Sequence, residues 1–176
     1  MKSLILFAAL LTSTVFSFAQ NADASPYADE APGKISRSAV HLEFGGPGLI
    51  STLNFDTRFT GQPDGFGGRI GFGGFLINGS GWFTVPVAFN YLAGNTEKGN
   101  YFEVGAGATL IGGDLFPLWD NGMMDFFGHI TFGFRAQPPE GGFNFRATVS
   151  PIFGSDAESE AFFLPYIPAL SFGYSF

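Results

Sequence analysis

The sequence contains no cysteine and little charge: only 13% of its 176 residues are Asp, Glu, Lys or Arg, against about 25% in an ordinary soluble domain. The lack of cysteine excludes a disulfide scaffold, a cysteine-ligated metal, a catalytic thiol and a lipid-modified N-terminal cysteine. The formal net charge of -7 argues against a nucleic-acid-binding protein, which needs clustered Lys and Arg. We therefore expect much of the surface to contact something other than water.

Long apolar runs are also scarce, and the one that stands out lies at the N-terminus. Lys2 precedes an apolar stretch from Leu4 to Phe18, and Ser17-Phe18-Ala19 places small residues where a signal peptidase recognises them. The run is shorter than the roughly 20 residues that a membrane-spanning helix needs. We predict a signal peptide over residues 1–19, cleaved after Ala19, and hence an exported protein.

After Ala19 no apolar stretch is long enough for a spanning helix, so a mature chain inserted in a membrane would have to cross it as strands closed into a barrel. Residues 20–35 are polar and have no hydrophobic period, which predicts a flexible periplasmic leader. The remainder, residues 36–176, forms the candidate barrel domain.

In residues 36–176, apolar residues alternate with polar or small ones. Phe102 and Val104 share one face of their segment, for example, while Glu103 and Gly105 share the other. This period of two predicts strands, and an even number of them returns both ends of a bacterial barrel to the same side. The prediction is an all-β fold, an eight-stranded antiparallel transmembrane β-barrel, with strands at residues 36–45, 49–59, 65–76, 82–93, 100–112, 125–136, 142–153 and 165–176.

The links between these strands divide into two sets. We expect short periplasmic turns at 60–65, 93–99 and 138–142, and outer loops at 45–48, 77–81, 113–124 and 154–163. An alternative treats the GGPG sequence of 45–48 as a bulge inside one long strand, which would leave seven strands. Pro86 and Pro151 lie within predicted strands and lack an N–H donor, so we expect a bulge at each.

Alternation alone fits two kinds of barrel, and the distribution of charge favours the one with an apolar exterior. A soluble ligand carrier of the lipocalin type needs a charged outer face, yet the predicted strands contain no Lys. A charge on a lipid-facing position near the midplane would cost about 2–4 kcal/mol. We therefore predict that the polar face lines the lumen, and keep the soluble carrier as an alternative. The charged residues of that face are Arg37, Glu43, Asp56, Arg58, Arg69, Glu103, Arg135 and Arg146.

Six of these charges are expected to meet in the periplasmic half of the lumen. An eight-stranded barrel is just wide enough for side chains to fill, so a hydrogen-bonded ion-pair network would close it. The alternative is a narrow passive channel for ions. The six residues of the predicted network are Asp56, Arg58, Arg69, Glu103, Arg135 and Arg146.

Two stretches carry a family resemblance. QPPEGGFNFR (137–146) and LSFGYSF (170–176) resemble the turns and strands of small outer-membrane β-barrel proteins of the Bacteroidota type. Phe172, Tyr174 and Phe176 match the C-terminal signal recognised by the barrel-assembly machinery. The resemblance implies an outer-membrane location and no particular activity, because such proteins mostly have no assigned function.

Candidates for chemistry are few. His41 and His129 fall on the predicted lumen face and could be combined with Asp56 and a serine into a nucleophilic site, but no nucleophile motif fixes such a group. The glycine runs lack the strand–loop–helix context of a nucleotide site. We predict no enzyme activity, no metal and no cofactor, with a lipid-modifying outer-membrane enzyme as an alternative.

The predicted role is structural or surface-interacting. Apolar residues of loop 113–124 are expected in the interfacial girdle, and acidic residues 155–160 at the outer rim, while binding of a partner by these loops is an alternative. We expect a monomer that contacts outer-membrane lipid, meets the barrel-assembly machinery during biogenesis and binds no nucleic acid.

Overall fold

The computed structural model describes residues 35–77, 80–113, 125–155 and 161–176. The predicted signal peptide, all of the predicted leader except its last residue, and most of the two long predicted outer loops lie outside these ranges. Among the described residues, no helix is long and apolar enough to cross a membrane.

The described residues form a closed barrel of eight antiparallel strands in which each strand pairs with its sequence neighbours and the first pairs with the last. The predicted fold class is confirmed, and the seven-strand alternative is wrong. The strands are β1 (Ser38–Gly45), β2 (Ser51–Arg58), β3 (Gly65–Ile77), β4 (Ser80–Asn95), β5 (Asn100–Gly113), β6 (Asp125–Ala136), β7 (Gly142–Ser155) and β8 (Ala161–Ser175).

Large apolar side chains cover the outside of the barrel. In β4, Phe89 is 70% exposed, whereas Thr84 and Asn90 are buried. The same alternation holds in β5, where Phe102 points outward and Glu103 is buried. A soluble carrier would have the reverse arrangement, with a charged exterior and an apolar lumen.

The two ends of the barrel differ in their connections. At one, the turn end, lie the links 59–64, 96–99 and 137–141, and both ends of the described chain meet there: Ser36 donates its N–H to the carbonyl of Pro139, at 2.7 Å, and Phe176 donates to that of Ser38. The opposite, loop end carries the β1–β2 connection and the attachment points of the undescribed segments.

The β1–β2 connection does not form the surface loop predicted for GGPG. Gly46–Gly48 is a 3-10 turn whose three residues are all buried, so it lies inside the lumen at the loop end, and we call it the inner turn. Thr109 donates its hydroxyl to the carbonyl of Pro47, at 3.0 Å, and Thr84 donates to that of Gly48, at 3.2 Å. Because the carbonyls find partners on opposite strands, the turn can enter the barrel with its peptide groups bonded.

The two prolines behave differently from one another. Pairing between β7 and β8 shifts register between Ser150 and Ile152, so the bulge predicted at Pro151 is present. The bulge predicted at Pro86 is absent: β3 and β4 keep one register on both sides of it, from Ile70 paired with Val87 to Gly73 paired with Thr84. Pro86 faces the lumen. Its missing N–H removes one hydrogen bond from the ladder but inserts no extra residue, so the register between β3 and β4 does not shift.

Arg37 does not lie on the lumen face, contrary to the sequence prediction. It precedes β1, and its side chain is exposed while that of Ser36 is buried. Both Arg37 and Ser38 donate their N–H to the carbonyl of Phe176. Two consecutive donors on one acceptor break the alternation that continues regularly from Ala39 onward.

Candidate functional site: the charged lumen

The lumen of the barrel contains a continuous network of ion pairs in which positive and negative side chains alternate. Each carboxylate lies between two guanidinium groups, and six ion pairs of 2.5–3.1 Å join the seven residues. All seven side chains are at most 1% exposed. In order of contact, the ion-pair network consists of Arg58, Asp56, Arg135, Glu103, Arg146, Glu43 and Arg69.

Arg135 is the centre of this network. Its Nη1 and Nη2 donate to the two oxygens of Asp56, at 3.0 and 2.9 Å, in the two-bond geometry that matches a guanidinium to a carboxylate. Its Nε donates to Glu103 at 3.0 Å, and Nη1 also donates to Oε1 of Gln137. One side chain thereby links β2, β5 and β6 across the lumen.

Arg146, on β7, extends the network to β1. Nε and Nη2 donate to the two oxygens of Glu103, at 2.9 and 2.6 Å, and Nη1 donates to Glu43 at 3.1 Å. Glu43 also accepts from Arg69, at 2.9 Å, and from the hydroxyl of Ser171. Together, the contacts of Arg135 and Arg146 join β1, β2, β5, β6 and β7.

At the turn end the network finishes on Arg58. Its Nη2 donates to Asp56 and to the amide oxygen of Asn90, both at 2.5 Å, and Nη1 donates to the carbonyl of Gly65. Asn90 in turn donates to Asp56, at 2.7 Å, and to Glu103. A Cβ built on Gly67 would overlap the Arg58 guanidinium, so glycine at that position leaves the space that the arginine occupies.

The six predicted network residues all lie in this cluster, and the structure adds others that the sequence prediction left out. Glu43, assigned to the lumen face but not to the network, joins Arg69 to Arg146. His41 accepts from Arg146 at Nε2, and Asn90 and Gln137 supply amide groups. In the sequence, only the alternating pattern, which places these residues on the lumen face, indicated that they could join the network.

The reason Glu43 was missed is the shear of the barrel. Glu43 is near the loop end of β1, yet it pairs with Ser171, which pairs with Arg146, which pairs with Arg135 near the turn end of β6. Rows of paired residues run obliquely in a barrel whose strands tilt. Distance from a turn along the sequence is therefore a poor guide to height in the lumen.

The two histidines are not assembled into a nucleophilic site within the described residues. Arg146 can only donate, so Nε2 of His41 accepts, at 2.9 Å, and cannot take a proton from a serine. Ser171 donates to Glu43, and Asp56 is bonded to Arg58 and Arg135. His129 is fully buried, and neither of its ring nitrogens has a hydrogen-bond partner in the described part of the chain.

The residues of the predicted assembly signal lie on the outer face at the end of β8. Phe172, Tyr174 and Phe176 are 43%, 61% and 38% exposed, and the ring of Phe172 packs at 5.4 Å from that of Phe145 on β7. Phe176 closes the ladder to β1 through Ser38. Their recognition by an assembly machinery stays a prediction.

Towards the loop end the contents of the lumen change from charged to apolar. Trp82, Ile111, Phe127 and Ile152 are each at most 7% exposed, and the inner turn lies among the same strands. Going from the turn end, the lumen therefore holds Gln137, the ion-pair network and then the inner turn, whose carbonyls are bonded to Thr84 and Thr109. Trp82 and Ile111 lie two residues further towards the loop end on the same strands. The arrangement fills the interior with side chains, and it bonds each of the lumen carboxylates Asp56, Glu103 and Glu43 to two arginines.

No family model and no curated protein matches this chain. Among solved structures, the N-terminal β-barrel domain of Pseudomonas aeruginosa OprF superposes with a TM-score of 0.58 at 14% identity, covering 82% of this chain and all of that one. Ail, the attachment invasion locus protein of Yersinia pestis, gives a TM-score of 0.40 at 12% identity, covering 82% of this chain and 98% of that one. The likeness to the OprF domain shows the fold: this is an eight-stranded barrel of the outer-membrane type.

Proposed function

We propose that this protein is a closed, non-conducting barrel of the outer membrane with a structural or surface-presenting role. The observation that carries the proposal is the ion-pair network, which crosses the lumen from β2 to β7 and binds every described carboxylate of the lumen to at least one arginine. A charged group in such a network is held by several partners at once. Opening a path for ions would require separating pairs that water cannot easily replace in a narrow interior.

The exterior supports the membrane location. Large apolar side chains from all eight strands face outward, among them Phe72 at 64% and Phe126 at 65% exposure, whereas the described charges of the strands face inward. Membrane fractionation tests the location: the protein should sediment with the outer membrane, and its folded form should migrate differently from the heated form on a denaturing gel. Recovery in the soluble periplasmic fraction would contradict the proposal.

Planar-bilayer recording tests whether the lumen is closed. The purified wild-type barrel should show no steady conductance above the background of the bilayer. Arg135→Ala removes the central arginine and should introduce conductance or flickering current, while Arg37→Ala, at an exposed position outside the network, should remain silent. Steady conductance of the wild type would favour the narrow-channel function instead.

We further propose that the protein is not an enzyme. In the described residues, the lumen histidines have no bonded serine, and both are at most 1% exposed, so a substrate would have no access to them. Lipid A species compared between a wild-type strain, a deletion strain and a His129→Ala strain should be identical. A lipid species that disappears in both altered strains would establish a lipid-modifying activity.

The remaining assignments rest on sequence. We propose that the protein is a monomer surrounded by lipid, assembled through the Phe172–Phe176 segment, and related to the barrels of the Bacteroidota type that segments 137–146 and 170–176 resemble. Truncation of Phe176 tests the assembly signal: unfolded protein should accumulate in the periplasm, while the Phe59→Ala variant should still be assembled.

A further inference from the structure

The strands β1 and β2 are shorter than the rest of the barrel wall. Each has eight residues, whereas each of the other six has 12–16. On one side, pairing of β1 with β8 stops at Ala169, and Ala161–Pro168 of β8 continue without a partner on that side among the described residues. On the other side, pairing of β2 with β3 stops at Gly73, and Gly74–Ile77 of β3 continue in the same way. The neighbours therefore extend past β1 and β2 at the loop end.

These two strand edges bound an opening in the barrel wall, which we call the wall gap. Because β8, β1, β2 and β3 are consecutive in the sheet, the edges are three strand spacings apart, about 14 Å at about 4.8 Å each. The chain between β1 and β2 does not fill the opening, since it enters the lumen as the inner turn. The wall gap is thus open at the loop end, and the β1–β2 connection lies at its base.

Two apolar side chains beside the wall gap lie on the lumen face and are nevertheless exposed. Leu164 of β8 pairs with Ile152, which is 3% exposed, and Phe75 of β3 pairs with Trp82, which is 7% exposed. Residues that pair across antiparallel strands share a face of the sheet. Leu164 is nevertheless 50% exposed and Phe75 41% exposed. The lumen face is therefore covered one strand away from the wall gap and uncovered along its two edges.

The outer surface beside the wall gap is also apolar. Phe163 precedes Leu164 on the opposite face of β8 and is 63% exposed, and its partner on β7, Phe153, is 43% exposed. In the proposed outer-membrane location, on which this inference rests, lipid chains cover such a surface. The same chains then border the wall gap.

The chemistry of the edges indicates which occupant fits. Their free peptide groups need polar partners, which hydrocarbon does not offer. A second protein chain could add a strand, but Pro165 and Pro168 give the β8 edge no N–H at two positions, and proline is a common protection against strand addition. Water would bond the peptide groups and leave Leu164 and Phe75 uncovered. A lipid molecule meets both requirements, because its acyl chain covers apolar side chains while its ester and phosphate oxygens accept hydrogen bonds from N–H groups.

We propose that the wall gap is a binding site for a membrane lipid, which inserts one acyl chain between β8 and β3 against Leu164 and Phe75. The inner turn sets the inner limit of this site, because its residues Gly46–Gly48 are buried in the lumen. Their carbonyls are bonded to Thr84 and Thr109, so the turn separates the lipid from the ion-pair network. The lumen stays closed to ions with the lipid in place.

A nitroxide label at a single introduced cysteine tests the occupant, since the chain has no cysteine of its own. The labelled Leu164→Cys variant is folded into phosphatidylcholine vesicles, and its collisions with oxygen, which concentrates in hydrocarbon, are compared with those with a water-soluble nickel chelate. Phe89→Cys on the outer face is the lipid reference, and Gly61→Cys in an exposed turn-end link is the water reference. We expect the oxygen-to-nickel ratio at position 164 to match that at 89 and to exceed that at 61 many-fold.

Two results at position 164 would overturn the proposal. A ratio like that at position 61 would mean that water fills the wall gap, and an immobile label shielded from both reagents would mean that protein covers it. If position 89 still reports lipid in the same vesicles, either result contradicts this inference alone and leaves the membrane location intact. A water-like ratio at position 89 would contradict the location itself, and this inference with it.

Native mass spectrometry supplies a second measurement that needs no label. Wild-type barrel extracted from phosphatidylcholine vesicles should retain one lipid molecule per protein after exchange into detergent. Leu164→Asn should lose most of this lipid. Leu170→Asn, on the outer face of the same strand and 49% exposed in the wild type, should keep it. Wild-type protein without lipid, or equal loss in the two variants, would overturn the proposal.

Discussion

At the scale of the residue, Asp56 is among the side chains with the most hydrogen bonds in the lumen. It accepts two hydrogen bonds from Arg135, one from Arg58 and one from Asn90. Two arginines depend on this one carboxylate, so its removal leaves two buried positive charges with reduced compensation. Removing one partner of a buried ion pair lowers stability far more than replacing both partners with apolar residues of similar size.

Asp56→Ala should therefore lower the free energy of unfolding by about 3–5 kcal/mol, whereas Arg37→Ala, at an exposed position, should change it by no more than about 0.5 kcal/mol. Urea titration of the two variants folded into lipid vesicles measures the difference. Similar stabilities for both variants would show that the network contributes little to the fold.

The sequence identified most of this network at residue scale, and the reason is simple. Period-two alternation places each charge on one face, and charges are too unfavourable on a lipid face, so Asp56 and Arg135 could be assigned to the lumen. Which charges contact each other depends on shear, which alternation does not contain. Glu43 was left out for that reason, and Arg37 was wrongly included because the alternation does not extend to the residues before β1.

At the scale of the element, the inner turn is the part of the structure that sequence patterns predicted least well. GGPG has the composition of a surface turn, and its entry into the lumen depends on Thr84 and Thr109, which are distant in sequence. Gly46 has a φ of +64°, and a Cβ on it would contact the side chain of Ala169. Leu49, which follows the turn, has a φ of 72°, and Ile50 donates to the carbonyl of Gly48, a tight and strained turn for a residue with a branched side chain.

Gly46→Ala should destabilise the barrel by about 1–3 kcal/mol, because alanine is strained at this φ and has no room for its methyl group. Gly61→Ala is the matched control, since nothing lies within 4 Å of a Cβ at Gly61, and it should be neutral to within about 0.5 kcal/mol. Chemical unfolding of both variants in the same lipid distinguishes them. A neutral effect at Gly46 would mean that the turn can leave the lumen without cost.

At the scale of the whole molecule, the described strands turn large apolar side chains outward and hold their described charged side chains in the lumen. In the proposed outer-membrane location, lipid is part of the folded state, because outward residues such as Phe89 and Tyr91 are covered only when lipid surrounds them. The strands, their order and their inward faces followed from alternation and length, because a closed barrel with an apolar outside and a polar inside imposes the same period on all eight strands.

A charge introduced on the outer face should therefore be tolerated according to its depth. Val87, at the middle of β4 and 44% exposed, should lose about 2–4 kcal/mol of stability when replaced by arginine. Ala93→Arg, on the same strand near the turn end, should lose about 0–1 kcal/mol. Unfolding titrations in vesicles give both values. Equal losses at the two positions would contradict the expected difference in depth between Val87 and Ala93.

The oblique rows of the barrel give the ion-pair network a consequence for strand alignment. A slip of two residues between β1 and β8 keeps every side chain on its proper face, so burial of apolar surface hardly distinguishes the two alignments. The slip would nevertheless carry Glu43 about 7 Å along its strand, away from Ser171 and Arg146. The charges in the interior thus select one alignment among several that an alternating pattern permits. The apolar outer surface is nearly the same in each of these alignments.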